Sequence, residues 1–188
     1  MNNRFDILDT PIQELKVIQR KILGDCRGYF ERLFCVEELK QMAPARGCVQ
    51  INHSLTEKQG TIRGMHFQHP PYAETKFVSC LRGSIFDVGV DLRQDSPTFL
   101  KWYGETLSAE NHKTLVIPDG FAHGYQTLED NCELVYICTE FYEPEHESGI
   151  SYNDPSINIT WPMELSNISD KDKSHPFIES DFVGIKIH

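Results

Sequence analysis

The chain has 188 residues, 39% of them hydrophobic, enough for one core and too few for two. Its net charge of −10 and pI near 5.2 argue against a nucleic-acid surface, since duplex binding relies on Lys and Arg to neutralise many phosphates. No apolar run approaches the roughly 20 residues that cross a bilayer, and Met1-Asn2-Asn3-Arg4-Phe5-Asp6 lacks the apolar segment of a signal peptide, so the expected compartment is the cytoplasm, with no membrane partner.

Short apolar runs rich in Val, Ile, Phe and Tyr recur between turn residues, which predicts an all-β sandwich or barrel in a single domain over residues 1–188. In chain order, Gly24-Asp25 marks a first turn and Val36 to Met42 reads as a modest helix. Gln59-Gly60 and Arg82-Gly83 mark further turns on either side of an apolar strand, Phe77 to Leu81, that begins at Lys76. Ser84 to Leu92 alternates strictly, placing Phe86, Val88, Val90 and Leu92 on one face and Asp87 and Asp91 on the other. After turns at Pro118-Asp119-Gly120 and Glu129-Asp130-Asn131, Cys132 to Phe141 reads as a central strand. Leu134, Tyr136 and Cys138 share one of its faces, opposite Val135, Ile137 and Phe141, so both faces are expected to be covered. From Asn153 onward, Pro155, Pro162 and Pro176 predict a loop-rich wrap with one short helix. The six cysteines contain no CxxC pair and read as reduced, small buried residues rather than zinc ligands or disulfides.

The chemistry concentrates in Thr61 to Gln68, Lys76 and Pro118 to Gly124. On a regular strand Arg63 and His66 point to opposite faces, so both enter one pocket only if the strand is distorted, and Gly64 between them is a natural bulge residue. A jelly-roll metal site needs a His-x-His pair, but Gln68 stands two residues after His66 and is a poor ligand. The PxGxxH turn ending at His123 therefore has too few partners, and no metal is expected. His66 is instead a candidate base, oriented by Asp170 or Asp172; the alternative is a structural histidine bonded to backbone. Arg63 and Lys76 are either solvated charges or a cationic pocket, and Tyr136 taken alone is an ordinary core tyrosine. Arg27-Gly28-Tyr29-Phe30 and Gln50-Ile51-Asn52 add polar and aromatic groups suited to a nucleobase and sugar.

These pieces in this order resemble the dTDP-4-dehydrorhamnose 3,5-epimerase family. The segments that carry the resemblance are Asp25 to Phe30, Gly60 to Gln68, Phe86 to Arg93, Ile117 to Gly124 and Asn153-Asp154-Pro155. It implies a cupin-like jelly-roll β-sandwich, a homodimer that exchanges strands or N-terminal segments, and no metal or organic cofactor. It further implies a dTDP-sugar or other NDP-sugar substrate whose product is the precursor of rhamnose for cell-surface polysaccharide. By the resemblance His66 is the catalytic base, Asp172 its orienting carboxylate, Tyr136 the group handling the proton on the opposite sugar face, and Lys76 the cation near the keto oxygen. Arg27, Gln50, Asn52, Arg63, His123, Glu147 and Lys171 match substrate-binding positions. Arg32, Ile51 and Leu55 depart from the family pattern in or beside the nucleotide-binding segments, and Tyr152 stands where the family carries Trp. A 3-epimerase or 3,4-ketoisomerase on the same jelly roll, a non-catalytic sugar-binding cupin, and a metal-dependent cupin dioxygenase are the competing readings.

Overall fold

A computed structural model describes residues 3–42 and 47–187. Its strands are β1 (Phe5–Asp9), β2 (Lys16–Arg20), β3 (Leu23–Asp25), β4 (Gly28–Phe30), β5 (Gln50–Thr56), β6 (Ile62–Gln68), β7 (Lys76–Arg82), β8 (Ser84–Asp91), β9 (Trp102–Ser108), β10 (Lys113–Ile117), β11 (Phe121–Thr127), β12 (Cys132–Cys138) and β13 (Glu147–Gly149), followed by a single-turn helix α1 (Asp170–Lys173). They form a six-stranded sheet in the order β1-β2-β10-β7-β12-β5, a five-stranded sheet in the order β13-β6-β11-β8-β9, and the separate hairpin β3-β4. Every strand pair is antiparallel, and the two sheets make the expected jelly-roll sandwich.

Three apolar layers follow from strand alternation. Between the sheets, Val17, Val78, Leu115 and Leu134 of one meet Ile85, Leu107 and Phe121 of the other. Outside the five-stranded sheet, Met65, Phe67, Val88, Val90 and Leu92 are covered by Ile150, Ile157, Ile159 and Ile185 of the C-terminal segment. Outside the six-stranded sheet, Ile18, Phe77, Val116 and Ile137 pack on Phe5 and Leu39. The alternation read in Ser84 to Leu92 is therefore correct, but its apolar face is the outer one beneath the wrap. Asp87 and Asp91 turn away from it and are fully buried. β12, paired to β7 and β5, is covered on both faces, with Leu134 and Ile137 in different layers, but it ends at Cys138 rather than Phe141, which lies beyond it and is exposed.

Three local expectations fail in whole or in part. Val36 to Met42 is a run of turns, with Leu39 N–H bonding Cys35 O at 3.0 Å and Met42 N–H bonding Leu39 O at 2.9 Å. Seven residues cannot sustain a helix by propensity alone, and here Glu38 is drawn off to accept from the Arg4 N–H at 2.8 Å and from Arg32. Gly24 and Asp25 lie in β3, and the reversal falls on Cys26 and Arg27. Among the cysteines all six thiols are free, but only Cys80, Cys132 and Cys138 are buried, while Cys26 and Cys48 are exposed.

The expected distortion in β6 is present. Against β11, His66 pairs with His123 and Arg63 with Tyr125, so two residues of β6 oppose the single Gly124. Gly64 has φ +128°, and a Cβ there would stand 2.5 Å from Gly124 Cα and 2.8 Å from His123 O, so only glycine fits. Gly64→Ala is expected to lower stability by roughly 2–5 kcal/mol, combining backbone strain with overpacking, read as a lower denaturation midpoint in urea at unchanged slope.

Candidate active site

A cavity of ≈ 690 Å³ lies between the sheets. Gln50 and Asn52 on β5, Lys76 on β7 and Tyr136 and Cys138 on β12 line one wall, while Arg63 and His66 on β6 and His123 and Tyr125 on β11 line the other. The bulge thus brings Arg63 and His66 into one pocket.

His66 Nε2 lies 2.8 Å from Asp172 Oδ1. The carboxylate belongs to α1, whose N-cap Ser169 accepts from the Asp172 N–H at 3.1 Å, and Asp172 Oδ2 accepts from the Gly64 N–H at 3.1 Å. The amide left over by the bulge therefore anchors the same carboxylate that holds the imidazole. Asp170, the other candidate partner, opens the helix and makes no bond to His66 among those described. Burial would raise the Asp172 carboxyl, but hydrogen bonds from His66, Gly64 and Ser169 outweigh it and hold it below the usual range. With Asp172 ionised, Nε2 carries the donated proton, and Nδ1 keeps a lone pair that can accept another.

On the facing wall, Lys76 Nζ is 3.0 Å from Glu74 Oε1, and both side chains are largely buried. Burial alone would push the ammonium down, but Glu74 together with the neighbouring Cys138 and Tyr136 holds it above the ordinary lysine value, so it stays charged. Burial raises the Tyr136 hydroxyl, which Lys76 and Arg63 partly offset, leaving a protonated phenol in the cavity. His123 Nε2 sits 2.7 Å from Asp87 Oδ1. Burial pushes Asp87 up against the opposing pull of His123 and Lys76.

The remaining sequence-selected residues divide. Gln50 Nε2 donates to Asn52 Oδ1 at 3.0 Å at the cavity wall. Glu147 also lines it and accepts from Tyr142 Oη at 3.0 Å and from Lys171, which is itself half exposed outside the lining. Arg27 lies away from the cavity, 85% exposed on the β3-β4 hairpin and bonded to Asp25. Of the departures, Arg32 pairs with Glu38, and Ile51 projects from the outer face of β5, whereas Leu55 reaches the cavity. Tyr152 contributes its carbonyl to Trp161 Nε1 at 2.8 Å. Gln68, poor as a ligand, is a buried cross-link to Tyr72 O and Phe141 O at 2.9 and 3.0 Å. Sequence reasoning passed over Asp87, Glu74 and Tyr125, whose hydroxyl meets Thr56 Oγ1 at 2.9 Å. A carboxylate in the middle of a strand as apolar as Ser84 to Leu92 was the available signal for Asp87.

The family model for dTDP-4-dehydrorhamnose 3,5-epimerase matches residues 9–180. The chain belongs to this family. It is 42% identical over 180 residues to the dTDP-4-dehydrorhamnose 3,5-epimerase of Shigella flexneri, covering 95% of this chain and 99% of the relative. It is 45% identical to that of Sinorhizobium fredii over 88% of this chain and 85% of the relative. The fold superposes with a TM-score of 0.89 on the crystal structure of the Legionella pneumophila dTDP-6-deoxy-D-glucose-3,5-epimerase in complex with dTDP-4-keto-L-rhamnose, at 39% identity over 96% of this chain and 98% of that one. The matched region contains every cavity residue named here.

Because the Asp172 carboxyl is held low in the folded state, it contributes stability that is complete above the unfolded carboxylate value near 4 and is lost as pH falls through its own lower value. Asp172→Asn is therefore expected to lower stability at pH 7 and to flatten the acid limb of a stability-versus-pH curve below about pH 4, measured by urea titration at each pH.

Proposed function

We infer that the chain epimerises C3 and C5 of a dTDP-linked 4-keto-6-deoxyhexose, converting dTDP-4-dehydro-6-deoxy-D-glucose to dTDP-4-dehydro-L-rhamnose, the precursor of rhamnose for cell-surface polysaccharide. The single observation that carries the residue assignment is the placement of the His66–Asp172 pair across one cavity from Lys76 and Tyr136. A keto group at C4 acidifies the protons at both C3 and C5, because either carbanion delocalises onto the same oxygen. In this reading His66 removes the proton, its imidazolium is stabilised by Asp172, and the buried Lys76 ammonium meets the charge developing on O4. Tyr136 returns a proton from the opposite face of the ring. The three groups are assembled before substrate arrives, which is the condition under which such electrostatic stabilisation is worth most. Gln50, Asn52, Arg63, His123 and Glu147 hold the sugar and diphosphate, with Lys171 acting through Glu147. These steps require proton transfer alone and call on no cofactor.

The dimer implied by the family resemblance gives Arg27 a place. The β3-β4 hairpin has three residues per strand, all exposed, including Leu23, Tyr29 and Phe30, and a lone hairpin of this size does not stabilise itself in water. β5 ends the six-stranded sheet with Ile51 and Leu55 exposed. We propose that a second copy of the chain covers these surfaces and that Arg27 reaches the partner's nucleotide. The expected result is a dimer by light scattering, with Arg27→Ala weakening dTDP affinity while leaving the dimer intact. No described helix is long and apolar enough to cross a membrane, and six free thiols fit the reducing cytoplasm in which we place the enzyme.

The deciding experiment is NMR of deuterium incorporation at C3 and C5 from heavy water. Wild type is expected to exchange both positions and to yield the L-sugar. His66→Asn should lose exchange by a factor of about 10²–10⁴ with dTDP affinity unchanged. Tyr136→Phe should retain exchange but fail to invert. Exchange at C3 alone would make the enzyme a 3-epimerase, and inversion by Tyr136→Phe at the wild-type rate would refute the tyrosine's role.

A further inference from the structure

We propose that His66, Asp172 and His175 form a zinc-binding site whose occupation disables the base. One ligand atom from each of the three residues lies within 4.8 Å of the others. His66 Nε2 is 2.8 Å and His175 Nε2 3.9 Å from Asp172 Oδ1. An ion among three atoms so spaced sits roughly 2–2.5 Å from each, close to the 2.0–2.2 Å of zinc bonds to imidazole and carboxylate. Two imidazoles and one carboxylate are a zinc donor set, and three protein ligands leave a fourth position for water.

His175 is the residue that turns a catalytic pair into a ligand set. Its Nε2 is buried and has no hydrogen-bond partner among the described residues, an arrangement that costs stability unless something engages the nitrogen. The ring stands edge-on to His66, with centroids 5.4 Å apart and planes at 75°. Its place is cleared by Gly149, where a Cβ would come within 2.3 Å of His175 Cε1. The ring neither lines the substrate cavity nor bonds any group assigned a part in the reaction, except for the 3.9 Å approach to Asp172. Lys171, the neighbouring cation, is ion-paired with Glu147, which offsets its repulsion of a metal.

The consequence for the reaction follows from the imidazole's single proton. With the site empty, that proton sits on Nε2 against Asp172 and Nδ1 holds the lone pair. Zinc takes the Nε2 lone pair, so the proton moves by way of solvent to Nδ1, and the base becomes a donor. No proton is gained or lost overall, but the atom that must accept one no longer can. The nucleotide-binding side chains are untouched, so zinc should abolish turnover without weakening dTDP binding.

The inhibitory effect rests on the function proposed above, whereas zinc binding is measured without it. Chelator-stripped wild type would be titrated with zinc chloride against a chromophoric chelator, beside His175→Ala and the bulkier His175→Gln. The expected result is one zinc per wild-type chain, with affinity falling roughly 100-fold or more in both variants, since even outer-shell partners are worth 10–100-fold. Deuterium exchange with zinc should then cease in wild type and persist in the variants. Equal zinc affinity in wild type and both variants, or no uptake by wild type, overturns the site, whether or not the protein epimerises the sugar. Zinc bound through His175 with exchange undiminished overturns the disabling step.

Discussion

Gly64 and Gly124 touch across β6 and β11, and the site depends on that contact. A side chain on Gly64 would meet the backbone of Gly124, and one on Gly124 would fall 2.5 Å from Met65 Sδ. Because neither has one, β6 can hold an extra residue, and three outcomes follow together. Arg63 and His66 both enter the cavity, Met65 turns into the outer apolar layer, and the Gly64 amide is released from the ladder to bind Asp172. The orientation of the proposed base is thus a property of backbone packing as much as of any charged pair.

The sandwich interior is divided between apolar packing and a charged pocket. Burying Lys76 and Glu74 carries a desolvation cost that is met by their close pairing, whereas His123 offsets only part of the cost of burying Asp87. The outer faces supply the apolar burial that the interior gives up there, one beneath the C-terminal wrap and the other beneath the segment containing Leu39. That division lets a protein of this size keep ionised groups fixed in place beside a substrate. Groups held in this way need little reorganisation when charge develops.

Much of this could be read from the residues alone. Alternation in Ser84 to Leu92 assigned its faces correctly, and the need to place Arg63 and His66 together located the bulge at Gly64. The C-terminal wrap with its one short helix was also recognisable from its prolines. What stayed hidden depended on tertiary partners. The polar face of β8 is buried because it turns inward, away from the outer apolar layer, a fact that period-two alternation does not contain. Val36 to Met42 has helical spacing, but Leu39 is held by the outer layer and Glu38 by Arg4 and Arg32, so packing overrode propensity. His175 drew no notice because nothing local to it announces the imidazole of His66, far away in the chain.

The His66–Asp172 bond joins residues 106 positions apart. Between them the chain completes both sheets, passes over the outer face of the five-stranded one and returns at α1. A polypeptide whose sheets have formed but whose tail is still loose would possess the cavity and most of its polar lining, yet its imidazole would have no carboxylate beside it. Competence to move a proton therefore waits on a long-range closure made near the C-terminal end of the chain, with the Ile185 bridge to Arg93 lying further on.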